Sequence, residues 1–462
     1  MATRRLTVAV ALGGLIAAVP QHAGAKISAP PPPVSILPPA TSPVPMVPEV
    51  PSPVPPPPAP VLVPSPAPVA HWTSVDATAL LTVIEGAGKR GLFAADYAPA
   101  GLRAAIAVGE GLALDSLASR LFIQLALDLR DGRTPAAARV QWLVKDSDAT
   151  TLPIEGLLQL AVTSHNVEAV LASAEPQSPD YAALKATLAK TPATDKARVA
   201  LIRANMDRWR WLPRSLGPKH LLANVPEYML RVNIFGKTIA SYRVIVGKKD
   251  TATPQLSANA VGIVVHPPWV LPRSIITQEV GPLIARSPAA ARARGYTWTG
   301  SGKTLSVVQQ PGPSAALGLL KIDMPNPDAI FIHDTPNRTL FANHPRAYSH
   351  GCLRTERAFE LGILLGILQS GESMEDAAAR DRVAEELVTL IKLGKTEKVP
   401  FKDPIPVFIS YFTLATGMDG KLQTYVDVYG RDAPVFASFD QPRVEKKIPE
   451  LPAFVVAPVP VL

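Results

Sequence analysis

Nineteen of the chain's 50 prolines fall between Pro30 and Pro68. Proline fixes φ and has no amide hydrogen to donate, so such a run cannot build a hydrogen-bonded core. Residues 26–70 therefore read as a tether, extended as polyproline II and able to reach on the order of 100 Å. A spacer fits better than a ligand for a proline-binding module. What folds must lie beyond it. The total of 462 residues, 47% hydrophobic and 18% charged, leaves enough chain for two or three domains with a sizeable core. Fibrous and wholly disordered classes are excluded.

The segment before the tether reads as an address. Arg4 and Arg5 form a positive start, Leu6 to Val19 an apolar run, and Ala23-Gly24-Ala25 a small-residue cleavage site. About 14 apolar residues fall short of the roughly 20 that span a bilayer. Residues 1–25 are expected to be a cleaved secretory signal, with an uncleaved anchor as the alternative. No cysteine follows the run, which excludes a lipoprotein anchor. Cleavage removes two arginines and takes the formal charge from +8 to +6. That excess suits an anionic envelope but is equally ordinary for a soluble protein, and no nucleic-acid-reading motif accompanies it.

Beyond the tether the texture divides. Residues 71–217 read as a helical scaffold. Leu112–Leu129 has apolar residues at helical spacing, Pro153–Val170 and Tyr181–Ala189 are shorter helices, and Asp195–Leu212 is a longer one stopped by Pro213. Residues 218–440 read as mostly β. Tyr228–Val232, Ile239–Val246, Ala260–His266, Asp328–His333, Pro406–Phe412 and Thr424–Tyr429 are the expected strands, with helices at Thr355–Gln369 and Glu375–Leu393. Residues 441–462 read as a tail. The expected class is α+β, an N-terminal helical scaffold followed by a mostly-β domain with a few helices.

The chemistry concentrates in Phe331–Arg354, which holds three of the eight histidines and the only cysteine, Cys352. A single cysteine excludes an internal disulfide, zinc ribbons and paired-cysteine redox motifs. In an exported protein it also risks oxidation. Cys352 sits in Ser349-His350-Gly351-Cys352-Leu353-Arg354, not on an apolar face. A helix is expected just after Arg354, and a thiol at a helix N-terminus beside His and Arg would have a lowered pKa. His333, at a strand end before the Asp334-Thr335-Pro336 turn, could take the thiol proton. His350 is placed to polarise a carbonyl rather than to transfer a proton in line. The Gly351 and Cys352 amides would form an oxyanion hole. Three readings stay open on these grounds: a thiol acyl-transfer enzyme, a structural cysteine with incidental histidines, and a zinc site from His333, His344, His350 and Cys352.

The pattern resembles a family. His333, then Ser349-His350-Gly351-Cys352 and Arg354, is similar to the signature of the L,D-transpeptidases with a YkuD-type catalytic domain. Trp209–Pro213, Val244–Lys248, Pro267–Ile275, Pro311–Gly318 and Phe331–Pro336 resemble the large YcbB-like branch. The resemblance spans roughly residues 75–440. It implies that Cys352 attacks the carbonyl between meso-diaminopimelate, residue three of a peptidoglycan tetrapeptide stem, and the following D-alanine. An amine of a second stem's diaminopimelate then resolves the thioester into a 3→3 cross-link. It implies Cys352 as nucleophile, His333 as general base, and His350 and Gly351 on the oxyanion side. Arg354, Ser349, Trp269, Phe331 and Trp298 would bind substrate. No cofactor, metal or nucleic acid is implied. Envelope proteins are candidate partners and the periplasm is the expected location.

Two features depart from that branch. Tyr181 runs through Lys196 into the Trp209 helix across a short polar link, which leaves out the small wall-binding module the branch carries. Residues 274–317 are expected to form a lid, with Trp298 equally suited to a core. A carboxypeptidase, a 1→3 cross-linking enzyme and a non-catalytic wall-binding scaffold are the rival functions. The histidine so close before the cysteine argues against a papain-type protease.

Overall fold

The computed structural model describes residues 70–371 and 376–446. The expected signal, the proline-rich segment up to residue 69 and the end of the tail from 447 lie outside the described residues. The chain folds as a helical scaffold followed by a mostly-β domain with some helices.

The scaffold starts where the prolines stop. The Trp72 amide donates to Asp115 Oδ1 at 2.7 Å, and its indole N–H donates to Ser119 Oγ at 3.0 Å. Both acceptors sit on the Leu112–Asp131 helix, whose Ala118, Leu121, Phe122, Leu125 and Leu129 recur at three- and four-residue spacing and are buried. That spacing places them on one face, toward Leu80, Ile84, Leu158 and Leu171 of neighbouring helices. The expected Pro153–Val170 segment is two helices, Ile154–Thr163 and Val167–Ser173. Asn166 caps the second, its side chain accepting from the Ala169 amide. The Lys196–Arg210 helix is capped by Asp195 and ends before Pro213.

In the β-domain the strand pairings close on themselves. Gln255–Val265, Glu397–Ser410, Lys219–Asn224, Met229–Ile234, Lys237–Gly247, Leu353–Thr355, Ile332–His333 and Leu320–Asp323 pair in that order, and the last pairs back onto the first. The ring encloses a core of Leu221, Leu230, Val244, Val246, Ile263, Ile322, Ile332, Leu353 and Val407. Ala358–Ser370 and Ala377–Leu393 pack beside it. The expected Thr424–Tyr429 strand is not one, since only Leu422–Thr424 pairs. The Tyr425 amide still donates to Thr413 O at 2.8 Å, but the segment then turns and is held largely through side chains. Asp427 accepts from the Tyr411 hydroxyl and from the Arg431 and Asp432 amides, and the Tyr429 hydroxyl donates to Gly247 O.

Between Gln255–Val265 and Leu320–Asp323 the chain leaves the ring and builds a cap. Three short strands, Trp269–Val270, Tyr296–Thr299 and Ser306–Gln309, pair with one another. Helices at Gly281–Arg286 and Pro288–Ala293 complete it over a core of Leu271, Ile275, Ile276, Val280, Ile284, Ala291 and Val307.

Scaffold and ring meet through polar groups. The Arg208 guanidinium donates to Asp432 Oδ1 at 2.6 Å and to Thr413 Oγ1 at 3.1 Å, and Asn205 Oδ1 accepts from the Thr413 amide. The scaffold's Trp142–Leu143 also pairs with Gln255–Leu256. Residues 441–446, the start of the expected tail, lie along the scaffold. There Arg443 and Lys446 meet the fully buried Asp128 at 2.6 Å and 3.1 Å.

Candidate active site

The site is written in strand register. Ile332 pairs with Leu353 and His333 with Arg354 in parallel, while His333 pairs with Lys321 on the other side. Side chains alternate across a strand, and Ile332 and Leu353 are wholly buried in the ring core. His333 and Arg354 therefore share the opposite face with Lys321, and the same alternation carries Phe331 and Cys352 there. The Lys321 ammonium lies 4.6 Å from the Phe331 ring centroid.

The Cys352 thiol does not sit at the expected helix start, because Leu353–Thr355 is a strand and the next helix starts only at Ala358. The chain stays in the sheet because the Leu353 amide donates to Phe331 O at 2.8 Å. Nor is the thiol pKa lowered. Burial pushes it up, against the Phe331 amide, which donates to Sγ at 3.4 Å, and the charges of Arg354 and Lys321. The thiol donates to Ala329 O at 3.7 Å. Ala329 holds a left-handed φ of 52°, an uncommon conformation for a residue with a Cβ.

His333 is buried, and its imidazole is held down at about 3 by desolvation, helped by the positive charges of Arg354 and Lys321. Its Nδ1 lies 2.5 Å from Asp334 O. A carbonyl only accepts, so a ring hydrogen is assigned to Nδ1, and the Leu317 backbone also hydrogen-bonds the ring. The Asp334 carboxylate fixes the turn, accepting from the Leu319 amide at 3.0 Å and pairing with Arg338 at 2.9 Å.

The Ser349–Cys352 turn is braced from within. Ser349 Oγ donates to Cys352 O at 2.5 Å and accepts from the Gly351 amide at 3.1 Å. Thr253 Oγ1 donates to Gly351 O at 2.8 Å. Gly351 has φ +115°, and a Cβ there would meet Ile330 Cδ1 at 3.2 Å. The pair of amides expected as an oxyanion hole is thus divided: Gly351 N–H is engaged by Ser349, whereas no acceptor among the described residues takes Cys352 N–H.

Each remaining expected residue has a definite place. Arg354 is half-buried at the face, and nothing among the described residues accepts a hydrogen bond from its guanidinium. Ser349 is buried and serves the turn. Trp269 and Trp298 are not brought to the thiol. Both pack on the cap's own core, with the Arg292 guanidinium 4.9 Å from a Trp298 ring centroid. His350 turns toward the cap, its Nε2 2.6 Å from Glu279 Oε1. His344 lies edge-on to Tyr228 at 5.5 Å, so the four residues of the zinc alternative are not gathered. Among the described residues no group of three His, Cys, Asp or Glu side chains is arranged to hold a metal ion. Lys321 and Glu279 escaped the sequence reading because only register and cap closure bring them here. Asp334 was legible, lying within the His333 motif.

Residues 218–366 match the YkuD family, described as the L,D-transpeptidase catalytic domain. That match covers about a third of the 462 residues. Residues 69–188 match a second family, described as a scaffold domain. A Haemophilus influenzae protein named "Putative L,D-transpeptidase" is 30% identical over 231 residues, which is 46% of this chain and 45% of that protein. The chain thus spans about half the length of that relative. Among solved structures, an L,D-transpeptidase from Mycobacterium smegmatis covers 42% of this chain and 58% of its own, at 11% identity and a TM-score of 0.22. The Ldtfm–avibactam carbamoyl enzyme covers 43% of this chain and 51% of its own, at 12% identity and a TM-score of 0.22. The histidine and cysteine of the sequence motif both lie inside the YkuD match, His333 on one strand and Cys352 directly before its parallel neighbour.

Proposed function

We propose that this protein is a periplasmic peptidoglycan L,D-transpeptidase that forms 3→3 cross-links through a thioester on Cys352. One observation carries the reading: the Cys352 thiol, just ahead of one strand, and the His333 imidazole, on its parallel neighbour, both lie near Arg354 and Lys321, with the imidazole's Nδ1 tied to a carbonyl. In this mechanism the thiol gives its proton to the His333 imidazole as Sγ attacks the carbonyl before D-alanine. The Cys352 amide faces the developing oxyanion, and the proton goes on to the departing D-alanine nitrogen. The acceptor amine then breaks the C–S bond and forms the new amide. Arg354 and Lys321 supply positive charge beside a stem peptide rich in carboxylates. Neutral resting forms of thiol and imidazole fit a transfer in which proton and attack move together.

The test is mass spectrometry of muropeptides after purified protein meets disaccharide-tetrapeptide. A dimer joined between two diaminopimelate residues, absent with Cys352→Ala, is the expected product. Tripeptide alone would make the protein a carboxypeptidase. Unchanged substrate together with wall binding would make it a scaffold.

A further inference from the structure

We propose that the cavity between the cap and the face of the ring is a receptor for an α-amino carboxylate, with Arg294 and Arg354 as the groups that take the carboxylate. The proposal rests on the transpeptidase reading and concerns which chemical class the site accepts beside the thioester. The cavity has a volume of about 440 Å³. Arg294, Tyr296 and Gln309 line it from the cap, and Thr335, Asn337 and Arg354 from the ring. Two arginines thus line one space. Nothing among the described residues accepts a hydrogen bond from either, and the cavity lining contains no carboxylate. Gln309 is buried, its side-chain amide donating to Arg294 O at 3.1 Å and its carbonyl accepting from the Ala316 amide at 2.9 Å. These bonds hold the Arg294 backbone against the loop that closes the cavity. Arg294 also lies near enough to the Tyr296 hydroxyl to counter the rise in its pKa that burial and, more weakly, the Glu279 carboxylate outside the lining cause.

The position of the cavity decides what belongs in it. Thr335 and Asn337 lie two and four residues after His333, and Arg354 is its register partner, so the space opens on the side of the base. The nitrogen that leaves in acylation takes its proton from the His333 imidazole. The nitrogen that attacks in the second step gives one back to the same ring. By microscopic reversibility both nitrogens occupy the base side, one after the other. The leaving group is D-alanine and the attacking group is the amine of a diaminopimelate centre. Each carries a carboxylate on the carbon next to its nitrogen. A paired-arginine receptor there would hold both in the same pose, since arginine binds carboxylates through two parallel hydrogen bonds. The balance is simple: the acceptor C–N bond forms, the C–S bond breaks, and the amine proton returns through His333 to the thiolate.

The experiment measures acceptor choice by the full chain, with disaccharide-tetrapeptide as donor. Deuterated D-alanine and D-alaninamide serve as competing acceptors, identical apart from the carboxylate, and mass spectrometry counts both products. The wild-type protein should prefer D-alanine. Arg294→Gln should reduce that preference by about tenfold to a hundredfold, the usual size of one charge-assisted pair, and Arg294→Lys should restore part of it. A merely structural role for Arg294 would lower both products alike and leave the ratio unchanged, which overturns the proposal. No preference in the wild-type protein overturns it as well. Absence of any D-alanine release from the donor defeats the transpeptidase reading itself, and this inference falls with it.

Discussion

Burial acts on Cys352 and His333 in the same direction. It raises the thiol and lowers the imidazole, so both are neutral near pH 7. Alkylation of Cys352 by iodoacetamide should therefore climb with pH through 9 and show no plateau below 7. A plateau at acidic pH would reveal a preformed thiolate. With His333→Ala the rate of acylation by a peptide donor should fall about 10²–10⁴-fold. The same burial has a stability consequence. Between the ordinary histidine value of about 6.5 and the native value of about 3, the unfolded chain binds a proton that the native chain refuses. Stability is then full above 6.5 and falls as pH drops through that window. Denaturant titrations at pH 4 and 7 should differ less for His333→Gln than for the wild-type protein. Gly351 is the other residue whose local state is fixed. Its φ of +115° and the nearby Ile330 make Gly351→Ala costly, about 1–3 kcal/mol, with loss of acylation because Cys352 is re-aimed. A melting curve and an acylation assay with disaccharide-tetrapeptide would check both effects.

Among elements, the cap depends least on the ring for its packing, because it has its own core. It is tied to the ring near the thiol through His350 and Glu279. The two side chains are 27% and 50% exposed, so solvent screens the pair and limits it to about 0–1 kcal/mol. Glu279→Gln should leave the melting temperature nearly unchanged. It should raise amide exchange in the 276–280 segment, measured with mass-spectrometric readout. Protection equal to the wild-type level would show that the contact does not hold the cap. The Ser349–Cys352 turn behaves differently, because its bonds are short, buried and internal to the chain. Ser349→Ala frees the Gly351 amide and removes the donor to Cys352 O, which should weaken the nucleophile's placement without touching the cap.

Across the whole molecule, scaffold and ring are joined by buried charge. The side chains of Arg208 and Asp432 are 2% and 13% exposed at their junction. Removing one partner of such a pair leaves a buried charge uncompensated and costs about 3–5 kcal/mol. Arg208→Met should thus lower stability by that order while Arg243→Met, at an exposed pair with Glu356, changes little. Calorimetry on both variants is the check, and equal shifts would mean that the junction is not a stabilising element. The 441–446 segment belongs to this scale too, since Asp128 binds both Arg443 and Lys446 across the scaffold.

The linear chain determined the class of fold and where the chemistry lies. Apolar spacing of three and four marks the Leu112–Asp131 helix, Pro213 ends the Lys196–Arg210 helix, and the Ser349–Cys352 motif stands out with its single sulfur. These signals are local, set by periodicity, backbone constraint and residue type. Other features were decided only in three dimensions. The strand after Cys352 exists because a distant segment, Phe331, accepts its hydrogen bond. The thiol is raised rather than lowered because burial there outweighs the neighbouring charges. Trp298 went to the cap's core, and Glu279 and Lys321 reached the site through cap closure and strand register. Burial and register are properties of contacts between residues far apart along the chain, and no window of sequence contains them.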